Sequence, residues 1–294
     1  MDWKSRRIEA ILEQALIEDK ATSDVTTAVT IDPRLRASAT ILAKEECVLS
    51  GLGCVPRFLE IFARLDGRNS GRYEVVSHPE IFDGVRLRKG QAIAVIRHNA
   101  RVILACERVI LNLMQRMSGI ATLTRRYVDE VEETGAKVLD TRKTIPGLRV
   151  LDKYAVRCGG GENHRLDLSD GILIKNNHIS LGGGIEKVLA SARQNRKPGQ
   201  TIDIEVRNLQ ELQLALDNGA ESLLLDNMTP SEVKKAVAAV EERGGNIPVE
   251  ASGGITLENI RKYALAGPDY ISVGALTHSA TAVDLSMRIT AELY

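Results

Sequence analysis

The sequence predicts an α/β protein, with an N-terminal α+β region of mostly antiparallel character followed by a parallel βα barrel. Three observations carry this. Between residues 36 and 97, short β-type runs bounded by glycines and charges surround one helical stretch. After Gly135, strand-like runs alternate with amphipathic helical stretches at spacings of roughly 20 to 30 residues, the pattern of βα units and a parallel sheet. No GxGxxG follows the first of those strands, which disfavours a dinucleotide-binding doubly wound sheet and leaves a barrel as the better reading.

The bulk numbers agree. The chain has 294 residues, 39 basic and 39 acidic, for a formal net charge of +0. That length suits two domains, or one large α/β domain with an added piece. A neutral balance argues against nucleic-acid binding, which needs a broad basic footprint. Aromatics at 3% are too few for base-stacking platforms. Cys47, Cys54, Cys106 and Cys158 form no CxxC pair and no metal-type spacing, so free thiols in a reducing compartment are expected. No apolar run approaches the length needed to span a bilayer, and the N-terminus lacks a signal-peptide core. The expectation is a soluble, cytoplasmic protein with no membrane partner.

Taken in order, residues 3–18 place Ile8, Ile11, Leu12, Ala15 and Leu16 at helical spacing. A polar loop is expected around Glu18, Asp19 and residues 23–27. The β-type runs 37–43, 47–50, 73–76 and 92–96 follow, with a helix over 54–65 among them. Residues 84–90 read as a turn introducing a hairpin. A helix apolar over much of its circumference runs from Arg101 to about Gln115, as expected of a buried element. Ser118 and Gly119 break it, and a second helix covers 121–133. Strands are then expected at 137–140, 171–174, 201–206, 222–225, 247–250 and 270–273. Helices are expected at 184–194, 209–218, 229–242 and 256–264.

A βα barrel presents its ligand site at the C-terminal ends of its strands. Those ends read Asp140-Thr141-Arg142-Lys143, Lys175-Asn176-Asn177-His178, Glu205, Asp226-Asn227, Glu250-Ala251-Ser252-Gly253-Gly254 and Gly274-Ala275. Every strand delivers polar or glycine residues to one rim. Arg142, Lys143, Arg165 and Lys175 suit carboxylates and phosphates, and arginine binds a planar carboxylate bidentately. Glu205 and Asp226 at neighbouring strand ends suit Mg²⁺ held alongside substrate phosphates. Ser252, Gly253 and Gly254 opening a helix, with Gly274 and Ala275 on the next strand, fit a phosphate cup. Together these describe a phosphorylated sugar plus an acidic co-substrate.

Blander readings exist for each member. Taken alone, Glu205 or Asp226 is more often the structural partner of a cation. A lone Ser-Gly-Gly also serves ordinary turns. His164 and His178 fit satisfied loop histidines, and His78 and His98 surface or packing positions. Lys175 also fits the Schiff-base lysine of an aldolase barrel, although the abundance of other cations favours anion binding over carbonyl capture. The set as a whole carries more weight than any member.

The motifs resemble the quinolinate phosphoribosyltransferase family, the carboxylating nicotinate-nucleotide pyrophosphorylases of the type II phosphoribosyltransferase fold. The resemblance rests on DTRKTIPGLR (140–149), KYAVR (153–157), GGGENHR (159–165), LIKNNH (173–178), IEV (204–206), LDNM (225–228), EASGGI (250–255) and ISVGALTHS (271–279). ERVILN (107–112) and SGIAT (118–122) belong to the same pattern, which covers nearly the whole chain. Ser23-Asp24 departs from the family's Gly-Asp, a difference confined to a local turn away from the site motifs.

The resemblance implies an N-terminal α/β sandwich domain over 1–113, with a C-terminal helix at 277–294 packing back on it. It implies an incomplete barrel of seven strands or fewer over 114–276, in keeping with six clear strands where eight close a barrel. It implies transfer of phosphoribosyl from phosphoribosyl pyrophosphate (PRPP) to quinolinate with decarboxylation, giving nicotinate mononucleotide, pyrophosphate and CO₂ for NAD synthesis. Arg142, His164, Arg165 and Lys175 would line the quinolinate pocket. Arg108 would join them from the other subunit of a homodimer, or of a dimer-based higher oligomer. Lys143, Glu205 and Asp226 would face PRPP and Mg²⁺, and Lys143, Lys175, Glu205 and Asp226 would carry the catalysis. Thr141, Ser252, Gly253, Gly254, Val273, Gly274 and Ala275 would complete the substrate contacts. Arg149, Lys153 and Arg157 have no such placement and are expected to be surface or interface charges.

Rival readings are a related barrel transferase, such as the homologue associated with molybdate-transport operons, a lysine-dependent aldolase, and a phosphosugar binder without turnover. The intact His-Arg and Arg-Lys pairs and the joint presence of acid, phosphate and metal elements favour the first-named family.

Overall fold

The computed structural model describes residues 1–67 and 71–292. Its elements run α1 (Arg6–Glu18), a 3₁₀ turn (Ala21–Ser23), α2 (Val25–Thr30), β1 (Arg36–Ala43), β2 (Cys47–Val48), α3 (Cys54–Asp66), β3 (Glu74–Val76), β4 (Arg86–Leu87), β5 (Ala92–Asn99) and α4 (Ala100–Val131). They continue with β6 (Lys137–Leu139), α5 (Arg149–Cys158), β7 (Ile172–Ile174), α6 (Asn176–Leu181), α7 (Ile185–Asn195), β8 (Ile202–Val206), α8 (Leu209–Asp217) and β9 (Ser222–Asp226). The last are α9 (Pro230–Glu241), β10 (Val249–Ser252), α10 (Ile260–Ala264), β11 (Tyr270–Ser272), α11 (Ala275–His278) and β12 (Leu285–Ala291). The chain divides into two compact units. One holds Met1–Leu123, Ile145–Gly160 and Ala280–Tyr294, and the other Thr124–Thr144 and Gly161–Ser279.

In the first unit an antiparallel sheet has the order β12-β1-β5-β3, and β2 pairs separately with β4. Strand β1 alternates strictly, burying Ala37, Ala39, Ile41 and Ala43 on one face. Helices α1 and α3 pack together through Ile8, Leu12 and Leu16 and through Phe58 and Phe62. Their apolar stripes recur at three- and four-residue steps, and Arg57 of α3 ties the two helices by an ion pair to Glu9 of α1 while also pairing with Glu60 in its own helix.

Several expectations are corrected in this unit. Residues 277–294 do not form one helix. After α11, residues 285–291 form β12, antiparallel to β1 with Ala43 opposite Leu285 and Ala37 opposite Ala291. The last two residues of that expected helix lie outside the described ones. Leu285, Met287 and Ile289 alternate with Ser286, Arg288 and Thr290, a period of two that suits a strand edge-paired to β1. The expected boundary at 113/114 falls inside α4, and residues 145–160 return to the first unit.

Helix α4 is also continuous where a break was expected at Ser118-Gly119. Gly119 is there for close approach: a Cβ built on it would lie 2.1 Å from the Thr281 carbonyl oxygen. Buried Ser118 accepts a 3.0 Å hydrogen bond from the Ser50 N–H. The supposed polar loop after α1 is helical, because Asp24 caps α2 by accepting from the Thr27 N–H at 3.0 Å. The turn expected at 84–90 contains β4, which pairs with β2 and not with β5.

In the second unit six parallel strands have the order β6-β11-β10-β9-β8-β7. Strands β6 and β7 stand at the two edges and are not paired in the described residues, so the barrel is incomplete. The free edge of β6 makes one parallel bridge, Leu139 to Glu162, with the loop that follows α5. One face of the sheet is apolar: Ile202, Ile204, Val206, Leu223, Leu225, Val249 and Ala251 cluster with Leu189, Leu212, Leu216, Val233 and Val240 of α7, α8 and α9. Each fully buried leucine or valine there contributes about 1.5–3 kcal/mol. The alternate positions, Asp203 and Glu205, Ser222 and Asp226, Glu250 and Ser252, fall on the opposite face. A parallel barrel usually fills that side with bulky branched residues. Here it is largely polar.

Candidate active site

The polar face opens at the strand ends into a cleft of about 540 Å³ within the second unit. Its walls come from five loops, each held by its own hydrogen bonds. After β6, the Lys143 N–H donates to Thr141 Oγ1 at 3.1 Å, and the Thr277 hydroxyl donates to the Lys143 carbonyl at 2.8 Å. Gly274 leaves room for the lysine stem, since a Cβ there would lie 3.1 Å from Lys143 Cδ.

The loop carrying His164 and Arg165 hangs on Asp140, which is fully buried. The Asp140 carboxylate accepts from Asn163 Nδ2 at 2.6 Å and from the His164 N–H at 2.9 Å. Gly160, at φ +89°, begins the turn that brings this loop round. Lys175 is the N-cap of α6, and its N–H donates to His178 Nδ1 at 2.9 Å. His178 therefore serves as a capping residue. Next to β10, Gly253 and Gly254 take φ +94° and +63°, and Asn227 takes φ +55°. The Asn227 N–H donates to the Ser252 carbonyl at 2.8 Å, and Asn259 Nδ2 to the Gly254 carbonyl at 2.8 Å.

The cleft gathers Thr141, Arg142, Lys143, His164, Arg165, Lys175, Glu205, Asp226, Ser252, Gly253, Gly254, Gly274 and Ala275. Two expected residues are outside it. Val273 is buried at 1% exposure with its N–H donated to the Leu139 carbonyl, so it is corrected to a packing residue. Arg108 is exposed on α4 and lines a different concavity in the first unit, with Arg116, α1 and residues 145–148. The Ser-Gly-Gly turn does not open a helix directly, since α10 begins only at Ile260, so any anion there meets loop backbone. Lys153, expected to be a surface or interface charge, is 3% exposed and so is not a surface residue.

Sequence reasoning left Glu250, Ser272, Asn227, Thr256 and His278 without a role, yet all line the cleft. Glu250 and Asn227 stood at recognised strand ends, which was the available signal. Ser272 and His278 carried none, because a serine inside a strand and a histidine beyond it have many ordinary uses.

The electrostatics follow from crowding charges out of water. Burial and then the facing Asp226 push the Glu205 carboxyl up, against Lys175, the Asn176 N–H and Arg207, which favour the charged form. Burial and then Arg142 push Arg165 down, against Asp203 and Asp170. Arg142 and Arg165 close enough to act on each other, and Glu205 and Asp226 likewise, suit a ligand that is anionic at one end and oxygen-rich at the other. The described residues contain no group of three or more acidic, histidine or cysteine side chains able to hold a metal by themselves. Glu205 and Asp226 therefore fit a hard cation that takes further oxygen ligands from a bound phosphate.

Known proteins match this chain along its length. The family model described as "Quinolinate phosphoribosyl transferase, C-terminal domain" matches residues 120–288, and the corresponding N-terminal domain matches residues 24–118. A probable nicotinate-nucleotide pyrophosphorylase (carboxylating) of Bacillus subtilis is 40% identical over 284 residues, covering 97% of this chain and 94% of that protein. A mitochondrial quinolinate phosphoribosyltransferase (decarboxylating) of Nicotiana tabacum is 38% identical over 302 residues, covering 97% of this chain and 83% of its own. The crystal structure of NadC from Streptococcus pyogenes superposes with a TM-score of 0.90 at 36% identity, covering 99% of both chains.

Proposed function

This chain belongs to the quinolinate phosphoribosyltransferase family, and from that premise we propose how its residues divide the work. It transfers phosphoribosyl from PRPP to quinolinate with decarboxylation, giving nicotinate mononucleotide, pyrophosphate and CO₂ in NAD biosynthesis. The observation that carries the division is the grouping of charge by element, with cations at β6, the His164 loop and β7, and the carboxylates Glu205 and Asp226 on the neighbouring strands β8 and β9.

Arg142, Arg165 and Lys175 take the quinolinate carboxylates, His164 lines the same pocket, and Lys143 faces the pyrophosphate. Thr141 and the loops at Ser252, Gly253, Gly254, Gly274 and Ala275 take the phosphoribosyl group. The quinolinate nitrogen attacks C1 of the ribose as the C1–oxygen bond to pyrophosphate breaks. C1 gains positive charge on the way, and the Glu205 carboxylate stabilises it. Decarboxylation then breaks the ring carbon–carboxyl bond, leaving its electron pair beside the cationic nitrogen. Water or Lys175 returns the proton. Cations around the departing carboxylate must orient it without holding it too tightly in the ground state.

Glu205 and Asp226 would hold Mg²⁺ together with PRPP oxygens, and the ion, when bound, neutralises the leaving pyrophosphate. Arg108 is exposed on α4 and is not among the residues lining this cleft, and a homodimer in which it reaches the cleft of a second copy is part of the same reading. A cytoplasmic setting is part of the same reading, supported by cysteines that are all free among the described residues. No described helix is long and apolar enough to cross a membrane.

The test is quinolinate- and Mg²⁺-dependent pyrophosphate release from PRPP, followed by Arg142→Ala and Lys175→Ala. Activity without quinolinate would sink the functional reading. A near-normal rate at saturating quinolinate in either variant would show that residue misassigned.

A further inference from the structure

Two of the polar groups that line the cleft, Glu250 and Ser272, have no role in the reaction just described. Glu250 is 9% exposed on β10, and a carboxylate that buried is costly unless its oxygens are satisfied. Both are. Oε1 accepts from the Ser272 hydroxyl, and Oε2 lies 3.3 Å from His164 Nε2. The other ring nitrogen is also engaged, because the Arg165 N–H donates to His164 Nδ1 at 2.7 Å. A proton on Nδ1 would set two donors against each other at that distance, so this geometry favours the tautomer with its proton on Nε2. Asp203, two strands over on β8, is hydrogen-bonded to Ser222 and exerts its charge on Arg165. Asp140 fixes the backbone of the same loop from the other side.

We propose that Glu250 is a positioning residue of the quinolinate pocket. It holds His164 as the neutral Nε2–H tautomer, so that His164 orients Arg165 and makes no hydrogen bond of its own to the substrate. The relay runs from the Ser272 hydroxyl to Glu250, from Glu250 to His164, and from His164 to the Arg165 backbone. It fixes where the Arg165 side chain leaves the chain, and it removes the histidine from the positive charge around the dicarboxylate. The grip on the substrate is then left to guanidinium and ammonium groups, and this deepens, and rests on, the functional reading above.

The test has two arms. In the full-length protein labelled with ¹⁵N-histidine, His164 is identified by the signals missing from His164→Ala. At pH 7 it should show the neutral Nε2–H pattern, and an imidazolium or Nδ1–H pattern would overturn the proposal. In the kinetic arm, Glu250→Gln keeps the shape and removes the charge. It should raise the quinolinate KM by about tenfold or more, as expected for a lost charged hydrogen bond, with the PRPP KM changed by less than about twofold. Ser272→Ala should shift the quinolinate KM the same way by less. In a His164→Ala background Glu250→Gln should add nothing further. Equal losses for both substrates, or full additivity with His164→Ala, would refute the relay. The spectrum of the unaltered protein decides the tautomer even if Glu250→Gln fails to fold. Absence of quinolinate turnover by that protein would instead refute the functional reading.

Discussion

Substituting Gly253 tests whether the loop after β10 is a shaped phosphate cup or an ordinary turn. Gly253 has φ +94°, and a Cβ there would meet Asn227 Oδ1 at 2.4 Å and the Asn227 backbone nitrogen at 3.0 Å. Gly253→Ala therefore carries two penalties. Forcing an L side chain into that backbone region costs about 1–3 kcal/mol. The contact must also be relieved, and part of it is with backbone that already donates to the Ser252 carbonyl and cannot swing aside. If the loop relaxes instead of the whole unit, the cost is taken from PRPP binding, and about 1–3 kcal/mol corresponds to roughly 5- to 150-fold in affinity. Gly254 is the internal control. Its φ is +63° and nothing lies within 4 Å of its Cβ position, so Gly254→Asn, a residue that tolerates the left-handed region, should be mild. The assay is steady-state KM for each substrate, with melting temperature measured in parallel. An unchanged PRPP KM in Gly253→Ala, or equal effects of the two substitutions, would refute the cup.

Other outcomes follow from the same geometry. Glu205→Gln should lower kcat by roughly 100-fold or more while stabilising the ligand-free protein at neutral pH. The sign follows from the raised Glu205 carboxyl: both proteins are alike at acid pH, and the wild type loses stability as pH rises from the ordinary glutamate value through the raised one. A melting-temperature gap that does not widen between pH 4 and pH 7 would contradict this. Gly119→Ala in the middle of α4 should destabilise by about 1–3 kcal/mol, because its Cβ would overlap the Thr281 carbonyl. Helix propensity alone predicts a gain of about 1 kcal/mol, so denaturant melts read the sign directly. Asp152 is fully buried, receives Arg116 through Nε at 3.0 Å and Nη2 at 2.7 Å, and also accepts the Ile145 N–H. Asp152→Ala should cost about 3–5 kcal/mol by leaving the guanidinium half-buried and stripped of its carboxylate, and an effect below about 1 kcal/mol would show the pair to be dispensable.

What the chain shows without its structure is local and periodic. Alternation along residues 36–43 and 202–206 specifies strands with one buried face. The recurrence of strand and helix after Gly135 specifies the βα order, and that order alone sends Arg142, Lys175, Glu205, Asp226 and Gly253 to one rim. Only the tertiary structure decided what depends on contacts between residues far apart in sequence. Residues 285–291 become a strand because β1 offers an edge more than 240 positions away. Gly119 looks like a helix breaker until the Thr281 carbonyl is placed against it. Lys153 reads as a surface or interface charge and is buried. Glu250 looks like one more strand-end carboxylate until His164 is found on one oxygen and Ser272 on the other. Periodicity in sequence records which face a residue shows. The free energy of a buried charge is set by the few atoms that touch it, and those come together only when the chain folds.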